Sequence, residues 1–354
     1  MSTPTIDDRS LTTASARTAE LERRIAANPG AFRILTGDRP TGPLHIAHYF
    51  GSLHNRVRLQ QLGVELFVLI ADYQTITDRD SPESLPNDVE GVIADHLAVG
   101  IDPAKATIFA HSQIPALNQL LLPFLSLVSV AEVSRNPTVK EEYAATGGSA
   151  MSALMFTYPV HQAADILFCH ANLVPVGKDQ LPHLELTRTI ARRFNERYGQ
   201  FFAAPDALLS AAPLLLGIDG QKMSKSRGNA IPIRATADET ARLIKGAKTD
   251  AERAITYEPD RRPEVANLVL LTALCQDRSP HDVAAEIGAG GAAALKAALT
   301  EAVNERFRPI RARRAELAAD PGMLREVLRA GNDRARDIAA TTLAGVHRHM
   351  HTTY

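Results

Sequence analysis

Apolar positions fall into short unbroken runs early in the chain and into helix-spaced stripes later. The clearest run follows Glu65 and continues without a polar residue to Ala71. A strand of that kind is buried on both faces, as in a parallel sheet. Phe32 to Thr36, Thr107 to Ala110 and Leu173 to Val176 are shorter runs that also read as strands. Between the runs lie helical stretches, roughly 45–62, 82–99, 115–130, 151–168 and 179–198. This alternation predicts an α/β domain with a parallel sheet and right-handed crossovers.

After Leu216 the pattern changes. From Asp238 onward only helical periodicity remains, rich in alanine and arginine, and 264–276 is apolar enough for a core helix. Arg306 to Arg336 holds nine arginines against four acids, which predicts a helical second domain with a basic face. A solvated helix surface would give the same charge run. The expected divisions are an N-terminal extension over 1–30, partly disordered and helical around Glu20 to Arg24; an α/β domain over 31–217; a polar loop over 218–230; and a helical domain over 231–354.

Composition narrows the class. The 354 residues suit two domains at a prior of ~150 residues each. Apolar residues at 45% and charged residues at 22% are ordinary for a soluble globular chain. No apolar run reaches the ~18 residues of a membrane span, and the stretch from Met1 to Pro29 carries no apolar signal region. The only cysteines, Cys169 and Cys275, sit among apolar neighbours. They read as buried thiols rather than a disulfide or metal pair, which places the chain in a reducing compartment, the cytoplasm. A net charge of −1 argues against wholesale wrapping of nucleic acid but leaves room for a local basic surface.

Two segments carry chemistry. Residues 36–53 place two glycines and two prolines in a tight turn directly after the first strand, then His45 and His48 three apart. That spacing puts both imidazoles on one face of a helix N-terminus, where free backbone N–H groups and the helix dipole favour a phosphate. The imidazoles add donors as negative charge builds. A plain pair of helix-capping residues would look the same. The turn has neither the P-loop nor the dinucleotide glycine pattern. The second segment, Asp219 to Asn229, is a polar loop bearing Lys222, Lys225 and Arg227. A mobile loop suits cations that act only as charge develops on a departing pyrophosphate.

A His-x-x-His turn after the first strand, with Lys-Met-Ser-Lys-Ser at 222–226, resembles the class I aminoacyl-tRNA synthetases. Tyr158 to Leu167, Leu173 to Gln180 and His183 to Arg188 are similar to the bacterial tryptophanyl-tRNA synthetases, and the likeness runs from about 31 to 340. It implies a Rossmann-like catalytic domain, a helical anticodon-binding domain, and tryptophan activation by ATP with substrate-borne Mg²⁺ for transfer to tRNA(Trp). It also implies a homodimer, whose interface would be the leucine- and valine-rich stretch 117–133 unless that stretch is a core helix.

The resemblance further implies residue roles. His45, His48, Lys222 and Lys225 would be catalytic. Arg39, Pro40, Thr41, Ala47, Gly177, Lys178, Asp179, Leu214, Met223, Ser224 and Ser226 would join His48, Lys222 and Lys225 around ATP. Asp165 would accept the indole N–H, with Gln162, Val174, Val176, Leu35 and Gln180 around the amino acid. Buried among Ala163, Ala164, Ile166 and Leu167, a carboxylate rewards a ligand that presents an N–H. The chain departs from the family signature at Ala47, where glycine is usual, and at Gln74, where histidine is common. Two rivals remain: a tyrosyl-tRNA synthetase, and a non-aminoacylating paralogue that binds RNA or regulates a partner.

Overall fold

Five strands form one all-parallel sheet: β1 (Arg33–Asp38), β2 (Glu65–Ile70), β3 (Ala106–Ala110), β4 (Leu173–Val176) and β5 (Asp206–Leu209), in the order β3-β2-β1-β4-β5. The computed structural model describes every residue except 1–5, 78–82, 138, 141–142, 144–150, 178–179, 210–213 and 226. Strand alternation divides the core in two. Ile34, Leu66, Val68, Ile70 and Ile108 face one layer; Leu35, Phe67, Leu69, Phe109 and Val174 face the other. The apolar run from Leu66 to Ala71 is buried throughout, as a central parallel strand requires.

Both sheet edges are covered. Helix α1 (Ile6–Ala27) lies along β5: Arg17 pairs with Asp206, the Thr18 hydroxyl accepts from the Leu209 amide, and Leu21 and Ile25 enter the core. The stretch expected to be a partly disordered extension is therefore helical from Ile6 to Ala27. At the other edge the long C-terminal helix crosses β3, and Asn332 Oδ1 accepts from the Ala110 amide at 3.0 Å. Covering an edge in this way removes a template for stray strand pairing.

The expected helices are present with altered limits. Residues 45–62 are not one helix but α2 (Ile46–His48), a π turn (Tyr49–Leu53) and α3 (His54–Leu62). π turns of this kind recur inside helices at functional sites. Next comes α4 (Leu85–Val99), with Pro86 in its first turn. The stretch 115–130 breaks into α5 (Pro115–Gln119), α6 (Leu121–Leu125) and α7 (Val130–Ser134). Ser129 restarts the chain with a capping box to Glu132. Helix α8 (Ala153–Leu167), capped by Ser152, and α9 (Leu181–Tyr198) cover the second face of the sheet. β5 was not expected; four residues opening on an acid give too little pattern.

Beyond Leu216 the chain is helical, as expected: α10 (Ala237–Lys245), α11 (Pro263–Gln276), α12 (Pro280–Ile287), α13 (Gly291–Ala318) and α14 (Pro321–His349). The arginine-rich stretch is not simply a free basic face. Arg311 donates to Ile233 O and to Thr240, Arg314 pairs with Asp95 of α4, and Arg334 donates to Pro103 O and Ala106 O. Arg314 and Arg334 fasten the helices to the sheet domain, while Arg311 ties α13 to α10 and to the chain at Ile233. Arg308, Arg325 and Arg329 remain mostly exposed. Cys169 and Cys275 are buried free thiols, and burial pushes each up to about 12. Among the described residues no helix is long and apolar enough to cross a membrane.

Candidate active site

In this strand order the direction of winding reverses between β1 and β4, and ligands of such sheets bind beyond the carboxyl ends of the strands there. The chain leaves β1 at Asp38, makes the glycine–proline turn and enters α2 at His45. Gly42 turns with φ of 113°, a conformation that favours glycine. His45 occupies the N-cap of α2, and its amide donates to His48 Nδ1 at 3.2 Å. The two rings lie 3.6 Å apart between centroids, so the predicted pairing on one face is realised.

The lysine loop meets this turn. Ile46 N donates to Ile231 O, Ile233 N donates to Leu44 O, and His45 forms a bridge with Pro232. Lys225 Nζ donates to Gly42 O at 2.9 Å, joining the two segments directly. Asn229 shapes the loop from within. Its amide donates to Asp219 and to Lys222 O, and its carbonyl accepts from the Ser224 amide. Met223 is buried, while Lys222 stands at the surface.

Electrostatics define the state of the histidine pair. Burial, then the neighbouring His48 and Lys225, push His45 down to about 3. Burial brings His48 to about 4 despite the pull of Asp38. Both imidazoles are therefore neutral at pH 7. They stand as neutral hydrogen-bonding groups rather than as cations. Burial also lowers Lys225, against the pull of Asp38 and Asp95.

Four residues that the sequence did not single out hold the turn. Asp38 accepts from Arg56 and, at 2.9 Å, from His96 Nε2. Burial opposes the charge on Asp38, but Arg56 and His96 hold it well below the usual carboxylate range. Asp95, fully buried in α4, accepts from Leu44 N through Oδ2 and from Arg314 Nε through Oδ1. One carboxylate thus ties the start of the histidine turn to the helical domain. Position at a strand end was the available signal for Asp38; Arg56, His96 and Asp95 lie within helical stretches and offered none.

The second half of the site lies under the other face of the sheet. Asp165, in α8, is 1% exposed. Its Oδ1 accepts from His111 Nε2 at 2.8 Å. Leu35, Val174 and Val176 share an apolar cluster with Ala164 and Ile166, the neighbours of Asp165. Gln162 is half-buried on the same helix, and Gln180 caps α9, its amide donating to Gly177 O. Arg39 is exposed, Pro40 buried, and Thr41 and Ala47 half-buried around the turn. Leu214 is 65% exposed. Lys178, Asp179 and Ser226 lie outside the described residues.

A doubly wound parallel sheet with a histidine turn at its switch point, clasped by a lysine loop, is the layout of a nucleotide-binding enzyme domain. Residues 27–308 match the family described as tRNA synthetases class I (W and Y). The chain is 41% identical to the tryptophan–tRNA ligase of Streptococcus agalactiae over 334 residues, spanning 91% of this chain and 98% of that protein. It is 40% identical to the same ligase of Clostridium longisporum, over 91% of this chain and 97% of that one. Among solved structures, tryptophanyl-tRNA synthetase of Campylobacter jejuni complexed with ADP and tryptophan superposes with a TM-score of 0.78 at 30% identity, covering 90% and 99% of the two chains. The chain belongs to the bacterial tryptophanyl-tRNA synthetases of class I.

Proposed function

We propose that this protein joins L-tryptophan to tRNA(Trp) at the expense of ATP. Its membership of the family carries the reading, and the clasp between Lys225 and Gly42 gives it a physical site. The tryptophan carboxylate attacks the α-phosphorus of ATP, the bond to the β-phosphate oxygen breaks, and pyrophosphate departs with Mg²⁺. The terminal ribose hydroxyl of the tRNA then attacks the adenylate carbonyl and AMP leaves. Little covalent work falls to the protein, so positioning and charge neutralisation dominate.

His45 and His48 offer ring nitrogens to the phosphates, and Lys222 and Lys225 supply the cations. Arg39, Pro40, Thr41, Ala47, Gly177, Lys178, Asp179 and Leu214 surround the nucleoside and phosphates, with Met223, Ser224 and Ser226 contributing from the loop. The exposed face of Leu214 suits an adenine lying against it. Asp165 accepts the indole N–H, and Leu35, Val174 and Val176 wall the ring, with Gln162 and Gln180 toward the polar end of the amino acid. The residues fall into four parts, as the sequence suggests: 1–30, the catalytic 31–217, the loop 218–230 and an anticodon-binding domain over 231–354.

Two copies would pair through the stretch 117–133, which runs from α5 through α6 into α7. Leu117, Leu120, Phe124 and Val133 are buried there, whereas Leu122 and Val130 stand 76% and 72% exposed. The stretch thus serves the core on one side and leaves large apolar groups for a partner on the other. The tRNA would meet the arginines left exposed on α13 and α14. Charging tRNA places the activity in the cytoplasm with its substrates.

The deciding experiment is ATP–pyrophosphate exchange with tryptophan, with tyrosine and with no amino acid. Exchange dependent on tryptophan supports the reading. Exchange with tyrosine instead would make this a tyrosyl enzyme. None with either would leave the non-aminoacylating role.

A further inference from the structure

His111 follows directly on β3 and is fully buried. Its Nε2 donates to Asp165 Oδ1 at 2.8 Å, across 54 residues of sequence. Other polar groups pack around it. His161, on α8 with Asp165, has its ring centroid 4.6 Å away. The Tyr73 ring, just after β2, is stacked at 6.3 Å. Beside it Asp72 accepts from the Ser112 amide. From α5, the Asn118 amide donates to His111 O, and Asn118 Oδ1 accepts from His161 Nε2 at 2.8 Å. The donor atoms of His111, His161 and Asp165 all lie within 4.8 Å of one another. Their nearest contacts are hydrogen bonds, and one nitrogen of each ring is already used in them.

We propose that His111 is a positioning residue for amino-acid selection: by holding Oδ1 of Asp165, it leaves Oδ2 as the acceptor for the indole N–H. This rests on the reading of Asp165 given above. A carboxylate free to rotate would present no fixed acceptor, and a buried one without a donor is costly. The network fixes the ring from both sides. Tyr73 and His161 flank it, and Asn118 locks His161 with a proton on Nε2.

The charge distribution supports a division of labour. Burial opposes a proton on His111, but Asp165 and Asp72 raise it above the ordinary histidine value. Burial lowers His161, with His111 adding to that effect against the pull of Asp165 and Asp72. The two imidazoles of the pair are therefore shifted in opposite directions. Because the shift of His111 is upward, its charge is present at low pH and is lost as pH rises.

The test is exchange kinetics on the full chain with tryptophan and with its benzothiophene analogue, in which sulfur replaces the indole N–H. Wild type should prefer tryptophan at least ~10-fold, since an acceptor left unpaired carries that cost. His111→Ala should lose most of this preference. Its tryptophan KM should rise ~10-fold while kcat changes less than ~3-fold. His111→Gln keeps an N–H donor and should restore the preference. In wild type the tryptophan KM should climb modestly as rising pH removes the charge from His111, because its bond to Asp165 is then no longer charge-assisted; in His111→Gln, whose donor is neutral throughout, it should not. If His111→Ala fails to fold, the His111→Gln pH profile decides. Unchanged discrimination in His111→Ala, or a persisting alkaline rise in His111→Gln, would overturn the inference while Asp165 keeps its role. A wild type indifferent to the sulfur analogue would instead remove the Asp165 reading, and this inference with it.

Discussion

Lys225 Nζ donates to Gly42 O at 2.9 Å, spanning the 183 residues that separate the lysine loop from the histidine turn. The bond ties the loop to the turn. A lysine engaged with a neutral carbonyl is ready to exchange that partner for an anion, which attracts it more strongly.

Lys225→Ala should therefore lower kcat for tryptophan-dependent pyrophosphate exchange by about 10²-fold, the size of losing one preorganised charge from a transition state. The tryptophan KM should move less than threefold. Equal losses in both would mean that Lys225 holds the fold rather than the phosphates.

The neutral histidines of the turn lead to a second expectation. His45 near 3 and His48 near 4 lie below the ordinary value mainly because burial disfavours their charged forms. A triphosphate brings the missing negative charge, so their affinity for protons rises on binding. At pH 5.5, binding of a non-hydrolysable ATP analogue should take up protons, read by calorimetry in buffers of different ionisation enthalpy. The His45→Gln, His48→Gln double variant should take up none. The sign for stability also follows. Both groups are depressed in the folded state, so they favour unfolding as pH falls from about 6.5 toward 4. The double variant should lose less stability than wild type over that window in urea titrations.

Much of this architecture could be read from the chain. β2 was legible because a strand buried on both faces has no polar interruption. The histidine turn and lysine loop were legible because each is local. Pairings between distant residues were not. His111 and Asp165 lie on different elements, and nothing in either neighbourhood names the other. The run 115–130 looked like one helix because leucine and valine continue through it; Pro123 and the Ser129 cap divide it. The arginines of 306–336 looked like a single basic face because charge shows in a sequence but its direction does not. Arg311, Arg314 and Arg334 point inward to partners in other elements.

Arg314 gives a prediction of its own. Its partner Asp95 is fully buried and also holds Leu44 N at the entrance to the histidine turn. Removing one member of a buried ion pair leaves the other uncompensated, which costs about 3–5 kcal/mol. Arg314→Ala should show a loss of that order in urea denaturation. It should also raise the KM for ATP more than that for tryptophan, because Leu44 leads into the turn proposed to hold ATP. A stability loss with both KM values unchanged would show that Asp95 fixes the domains without reaching the site.

Gly331 tests the covering of the sheet edge. It sits where α14 crosses β3, so close that an added Cβ would overlap the Ile108 carbonyl oxygen, a backbone atom with no side-chain freedom to retreat. The approach also sets the bond between Asn332 and the Ala110 amide, one residue before His111. Alanine is the better helix former by about 1 kcal/mol, so propensity alone would favour the change. Overpacking at a rigid contact costs about 1–3 kcal/mol and should win. Gly331→Ala should therefore lower the unfolding midpoint and weaken protection of the Ala110 amide in hydrogen exchange. Its tryptophan KM should rise as well, because displacing β3 displaces His111 with it. A variant more stable than wild type would mean that the helix can stand off from the strand, and that the close approach at Gly331 is not what keeps the edge covered.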